Sequence, residues 1–299
     1  MSLKPQSIDA VQDGLREQCY VADRQLATSI FLSLRLEKPL FLEGEAGVGK
    51  TEVAKVLSTM LNRKMIRLQC YEGLDISSAV YEWNYTRQML HIRMVEASGE
   101  FDQKSTVQDI FGPDFLMKRP LLQAIDGNSE KAPVLLIDEL DRADEEFEAF
   151  LLEVLSDFQI TIPEIGTVKA QEIPIVLVTS NRTREIHDAL KRRCLYHWID
   201  YPSFEKEQQI ILTKIPEAPQ HLAAEVVSFV QGLRREDLYK RPGITETLDW
   251  VSALAALDEQ TLSQEVIEQT LGTLLKYQDD IELVRGSVTQ RILSGTVQA

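Results

Sequence analysis

The stretch FLEGEAGVGKTEVAKVL, Phe41 to Leu57, contains residues of the right type and spacing to hold a phosphate: Gly44, Gly47, Gly49, Lys50 and Thr51 satisfy GxxxxGK[ST]. The glycines let consecutive backbone N–H groups turn inward around phosphate oxygens, and a helix amino end behind them adds its positive dipole. Glu45, Ala46 and Val48 complete the loop. In such a loop Lys50 reaches the β and γ phosphates of a nucleotide, and the Thr51 hydroxyl ligates magnesium.

A phosphate loop predicts an acidic partner at the end of a neighbouring strand. The segment APVLLIDELDRADEEFEAFLLEVL supplies it, with the apolar run Val134 to Ile137 followed by Asp138 and Glu139. Asp138 is placed to hold the magnesium shell, and Glu139 to orient and activate the attacking water. Acids at a helix start also complement the helix dipole, which accounts for Asp144, Glu145 and Glu146. It does not account for two adjacent carboxylates on the end of an apolar strand.

Two further groups have both a chemical and a plain reading. Asn181 ends the apolar run IPIVLVTSN, where it serves as a turn former or holds the water from the side opposite Glu139. Lys191, Arg192 and Arg193 close a short helical stretch, where cations stabilise a carboxyl terminus. The sharper reading is an arginine finger that reaches the γ phosphate of a neighbouring subunit, and spacing does not choose between the two.

These residues need elements to position them. PLFLEG reads as a short buried parallel strand, and KTEVAKVLSTML places Val53, Val56, Leu57 and Met60 on one helical face. The helix after Asp144 carries Phe147, Phe150, Leu151, Val154, Leu155 and Phe158 at core spacing. QITIPEIGTVKA predicts a hairpin with Pro163 and Gly166 in its turn. Beyond Ser203 the pattern is helical: Leu222, Val226, Val230 and Leu233 repeat at helical spacing, and TLSQ, Thr261 to Gln264, predicts a capping box.

Composition removes several classes. The net charge of −15, from 32 Lys plus Arg against 47 Asp plus Glu, repels phosphate polymers and makes nucleic acid an unfavoured partner. Three cysteines and four histidines stand without CxxC or HExxH spacing, so zinc is not expected. No apolar run approaches the about 18 residues of a membrane-spanning helix, and no signal core opens the chain. The expectation is a cytoplasmic protein without a membrane span.

The order of phosphate loop, LLIDE, VTSN and ALKRRC, followed by a helix-rich tail, resembles the AAA+ ATPases over essentially the whole chain. Within them it is similar to the MoxR group, and most closely to its CoxD-like members. The narrower likeness rests on RLQCYEGLDISSAVYEWNYTRQML (Arg67 to Leu90), DELDRAD (Asp138 to Asp144) and ALKRRCLYHWIDYP (Ala189 to Pro202).

The resemblance implies an α/β P-loop AAA+ module over residues 1–202, with a parallel sheet flanked by helices, and a small all-α lid over 203–299. It also implies an insertion in the second helix, Tyr71 to about Ala97, and a hairpin before the Asn181 strand, both facing a pore or substrate. Asn181 becomes the sensor of the water. Arg193 aligns with the finger arginine, Arg192 competes with it, and Arg142 matches an arginine that acts across the subunit boundary. Tyr20 and Val21 fall where the adenine is gripped. One departure stands out: the lid arginine of the family is replaced by Thr247, so either Arg241 takes that role from another angle or the lid senses nucleotide without it.

By the same resemblance the cofactors are ATP and Mg2+, and the assembly is a homo-oligomeric, hexameric ring that remodels a protein client. CoxD-like members are associated with maturation of a molybdenum and copper dehydrogenase, and MoxR proteins with partners carrying a von Willebrand factor A domain. A nucleic-acid-remodelling AAA+ motor and an ATP-sensing scaffold without turnover are the alternatives. The negative charge weighs against the first, and the intact Asp138–Glu139 pair against the second.

Overall fold

The computed structural model describes residues 4–98, 109–127 and 131–296. The described residues form two compact units. The first comprises residues 4–11, 25–43, 54–98, 109–127 and 131–197, and the second gathers residues 12–24, 44–53 and 198–296.

Apolar runs become buried strands. A five-stranded sheet has the order β2 (Met65–Gln69), β5 (Val134–Asp138), β8 (Ile175–Ser180), β1 (Leu40–Gly44), β9 (Leu195–Ile199). The pairs β2 with β5, β5 with β8 and β8 with β1 are all parallel. Every residue of β1, β5 and β8 is buried, as expected of strands covered on both faces. Parallel register brings the strand ends to one edge: Gln69 is level with Asp138, and Glu43 with Ser180.

The core of the first unit runs from Phe41 and Leu68 through Leu135 and Ile137 to Phe147, Leu151 and Val178. The helix Glu145–Asp157 buries Phe147, Leu151, Val154 and Leu155 against it, and Asp144 caps its start by accepting from Phe147 N at 2.9 Å. Phe158 closes that helix in the left-handed conformation. The expected hairpin is present as β6 (Gln159–Ile162) paired antiparallel with β7 (Gly166–Lys169).

Between Tyr71 and Ser98 lie the helix Ile76–Ala79, β3 (Tyr81–Trp83) and the helix Tyr85–Ser98, and β3 pairs antiparallel with β4 (Leu116–Lys118), beyond Ala97.

The carboxyl-terminal part is helical, as the pattern predicts. Helices Phe204–Lys214, Gln220–Leu233, Ile244–Ala256, Gln264–Leu274, Gln278–Val284 and Ser287–Thr296 enclose a core of Leu222, Val226, Val230, Leu233, Trp250 and Leu271. Thr261 is not the cap of the Gln264 helix: Ser263 takes that position and accepts from Val266 N at 3.2 Å. A serine two residues closer competes successfully because its hydroxyl reaches the first-turn N–H groups directly. No helix of the described residues is long and apolar enough to cross a membrane.

Candidate functional site

In the phosphate loop, Gly47 and Gly49 adopt φ of +77° and +93°. Backbone of that hand is open to glycine and strained for most other residues, which is why the spacing demands glycine there. Lys50 starts the helix Lys50–Met60 and is buried, with Nζ donating to Gly44 O at 2.8 Å and Glu45 O at 2.6 Å. The ammonium therefore bends back over its own loop. Thr51 follows in the first turn.

The acidic end of β5 sits in the first unit. Asp138 is 1% exposed, accepts from Thr179 Oγ1 at 2.6 Å, and pairs with Arg67, whose Nε and Nη2 lie 2.9 and 2.5 Å from Oδ2. A buried carboxylate held this way is costly unless charge-paired, and Arg67 supplies the pair.

Glu139 turns out of the strand in the left-handed region, φ 54° and ψ 51°, with its N–H bonded to Thr179 Oγ1 at 2.9 Å. Its carboxylate meets Asn181 Nδ2 at 3.2 Å, Gln69 Nε2 at 2.9 Å and Arg142 Nε at 3.1 Å. Non-glycine residues in this conformation cost about 1 kcal/mol or more and concentrate at functional sites.

The structure thus brings Asp138, Glu139 and Asn181 together at one sheet edge. Asn181 is anchored through its own N–H to Asp141 Oδ1 at 3.1 Å. Asp141 is itself buried and also accepts from Thr183 N at 2.9 Å and Thr183 Oγ1 at 2.7 Å. Burial pushes the Asp141 carboxyl up, but the bonds from Thr183 and Asn181 outweigh it and hold the group below its ordinary value. A depressed carboxyl stabilises the fold above the unfolded pKa of about 4 and loses that contribution as pH falls through the folded value. Thr183→Val is accordingly expected to cost about 1–2 kcal/mol at neutral pH. In chemical denaturation the gap from the wild-type chain should narrow below about pH 4; a gap that stays constant with pH would remove Asp141 from this role.

The remaining predicted residues are dispersed. Arg193 donates through Nε to Ser156 Oγ at 2.6 Å, within its own unit. Arg192 is exposed, and its guanidinium has no side-chain partner among the described residues. Tyr20 and Val21 line a cleft of about 120 Å3 with Gln12, Ala22, Gln209 and Thr213. Burial, reinforced by Asp23 and Glu52, raises the Tyr20 phenol above its ordinary value. Arg241 lines a cleft of about 260 Å3 with Glu45, Ala46, Tyr201 and Tyr239. Thr247 is fully buried and bonded to Glu207 Oε1 at 3.1 Å.

Cys70 packs beside the acids, where burial and the charges of Asp138, Asp141 and Glu139 push its thiol up to about 12. It is unsuited to be a nucleophile. The Asp138 carboxylate and, in the other unit, the Thr51 hydroxyl are each hard oxygen donors of the kind magnesium takes.

Sequence reasoning missed Arg67, Gln69, Thr179 and Asp141 as members of the constellation. The available signal was the alternation in MIRLQ and VTS, which puts polar side chains on strands whose neighbours end in acids.

An uncharacterized protein of Staphylococcus epidermidis is 25% identical over 256 residues, 83% of this chain and 88% of its own length. One of Staphylococcus aureus is 26% identical over 229 residues, 74% of this chain and 77% of its own. A Thermotoga maritima RuvB mutant is a structural neighbour at 16% identity and a TM-score of 0.49, covering 93% of this chain and 75% of that one. The family model of the AAA domain, dynein-related subfamily, matches residues 39–194, so the chain belongs to that family of AAA+ proteins.

Proposed function

We propose that the chain hydrolyses ATP with magnesium and uses the energy to remodel a protein client as part of a homo-oligomeric, hexameric ring. The observation that carries this reading is the meeting of Glu139, Asn181 and buried Asp138 at the carboxyl edge of the parallel sheet, the edge from which β1 runs on into the phosphate loop.

Lys50 holds the β and γ phosphates, and the loop N–H groups from Gly44 to Thr51 surround them. Thr51 and Asp138 would hold magnesium, which would offset the charge of the phosphates. An ionised carboxylate accepts about four hydrogen bonds. Glu139 has Gln69 and Arg142 on Oε2 and Asn181 on Oε1, so one direction on Oε1 is open to a water. As that water attacks the γ phosphorus, Glu139 takes its proton and the bond to the ADP oxygen breaks. Asn181, held by Asp141, keeps the water on line. A cation from the next subunit, Arg193 or its neighbour Arg192, offsets the charge that develops on the γ phosphoryl.

The finer assignment rests on the sequence resemblance alone. It is a MoxR-type, CoxD-like chaperone of metal-centre maturation in the cytoplasm, with a molybdenum and copper dehydrogenase as client and a von Willebrand factor A domain partner. Residues 1–202 act as the nucleotide-binding domain and 203–299 as the lid, with Tyr20 and Val21 gripping adenine.

The test is specific ATPase activity with magnesium over about a hundredfold range of protein concentration, since assembly follows mass action. Activity per subunit that rises and then saturates is expected. Flat activity would mean a self-contained site, and none at any concentration would favour a nucleotide-sensing scaffold.

A further inference from the structure

The first N–H groups of the helix Ile244–Ala256 are spent on the phosphate loop. Ile244 N donates to Gly47 O at 2.9 Å, and Thr245 N to the same carbonyl at 3.3 Å. The orphan donors of a helix amino end need an acceptor, and here a loop carbonyl provides it. Gly243, just before the helix, lies so close that a Cβ there would sit 2.8 Å from both Gly47 Cα and Ala46 O.

This contact has a consequence for anion binding. A planar trans peptide points its C=O and the following N–H to opposite sides. With the Gly47 carbonyl fixed on the helix, the Val48 N–H is turned away from it, where successive loop N–H groups can converge on an anion.

A buried polar cluster fixes the helix end that does this. The Arg234 guanidinium forks onto the Glu207 carboxylate with two bonds of 2.7 Å, and its Nε donates to Pro242 O at 2.8 Å. Tyr201 covers the guanidinium with its ring at 4.5 Å. The Thr247 hydroxyl lies 3.1 Å from Glu207 Oε1 and 3.0 Å from Gly243 O. Glu207 and Thr247 are fully buried and Arg234 is 9% exposed. Both ends of the cluster therefore terminate on Pro242 and Gly243, the two residues that lead into the helix. An apolar core would pack equally well; an ion pair with a fixed fork sets direction as well as depth.

We propose that Arg234 and Thr247 are positioning residues for nucleotide binding, which set the Gly47 peptide of the phosphate loop through the amino end of the helix Ile244–Ala256. The inference rests on the reading of residues 44–51 as the nucleotide loop. It answers how the lid senses nucleotide without a lid-helix arginine at position 247: through backbone, held from behind by a buried cluster.

Four variants of the full chain test it, with calorimetric ATP titration in magnesium and amide hydrogen exchange without nucleotide. Gly243→Ala wedges the helix off the loop while leaving an ordinary backbone, since Gly243 has φ −85°. Thr247→Val removes the hydroxyl at nearly constant volume, and Thr247→Ser returns it. Gly243→Ala and Thr247→Val should each raise the Kd for ATP by about tenfold and speed exchange of the Ile244 amide, with Thr247→Ser near wild type. Thr247→Arg crowds a second guanidinium against the single Glu207 carboxylate and should weaken binding too. Unchanged Kd and Ile244 exchange in Gly243→Ala and Thr247→Val would overturn the proposal, as would tighter binding by Thr247→Arg. A lowered melting temperature with unchanged Kd would reduce the cluster to a structural role. A wild-type chain that binds no ATP would instead overturn the nucleotide reading itself.

Discussion

Glu139→Gln is expected to bind ATP as the wild-type chain does and to hydrolyse it more slowly by a factor on the order of 10² to 10⁴, the usual contribution of a positioned general base. Glutamine keeps the length and planarity of the side chain, so its amide oxygen still accepts from Asn181 Nδ2, now 3.2 Å from Glu139 Oε1. What is lost is basicity: an amide oxygen does not take a proton from water at neutral pH. The acceptor at Oε2 is lost too, for Arg142 Nε at 3.1 Å and for Gln69 Nε2 at 2.9 Å, but the Arg142 pair is partly exposed and contributes little to stability. Single-turnover hydrolysis beside calorimetric binding separates the two effects. Retained turnover would take the general-base role away from Glu139.

The second large effect is expected at the helix end after Leu190. Removing the cation that acts in trans should lower turnover by about 10³ to 10⁵ and leave the affinity of the isolated subunit for ATP nearly unchanged. Arg193→Ala is the variant in which that loss is expected; Arg192→Ala is the control with the same charge change. The two arginines differ in the structure, because Arg193 is bonded to Ser156 Oγ at 2.6 Å while Arg192 has no side-chain partner among the described residues. Mixing adds a sharper readout. An arginine variant with an intact loop, combined with Lys50→Ala chains that keep the arginines, should recover part of the activity if the cation crosses a subunit boundary. If neither single variant loses activity, the finger lies elsewhere, and if Arg192→Ala alone is damaged, the assignment moves by one residue.

The parts legible in the sequence are those that local chemistry dictates. Gly47 and Gly49 are required by backbone hand, and Asp138 and Glu139 stand at the end of an apolar strand where no folding reason exists for two acids. Asn181 became meaningful from its place at the end of β8. The missing members were hidden because their roles are set by register rather than by neighbours in sequence. Gln69 reaches Glu139 only because β2 lies beside β5 with Gln69 level with Asp138. Arg67 is drawn to Asp138 by the same pairing, and Thr179 joins Asp138 to the Glu139 N–H across β8 and β5. At the Gln264 helix the sequence offers two good local caps, Thr261 and Ser263, and the one whose hydroxyl meets a first-turn N–H, Val266 N at 3.2 Å, is Ser263.

The left-handed backbone at Glu139 bears on any attempt to evolve this chain. Glycine relieves the strain at such a position and asparagine tolerates it well, whereas glutamate does neither. A library screened only for solubility or heat resistance would therefore drift away from the carboxylate at 139, and its winners would be better folded and inert. Any laboratory evolution of this protein has to place turnover, not foldedness, under selection at that codon.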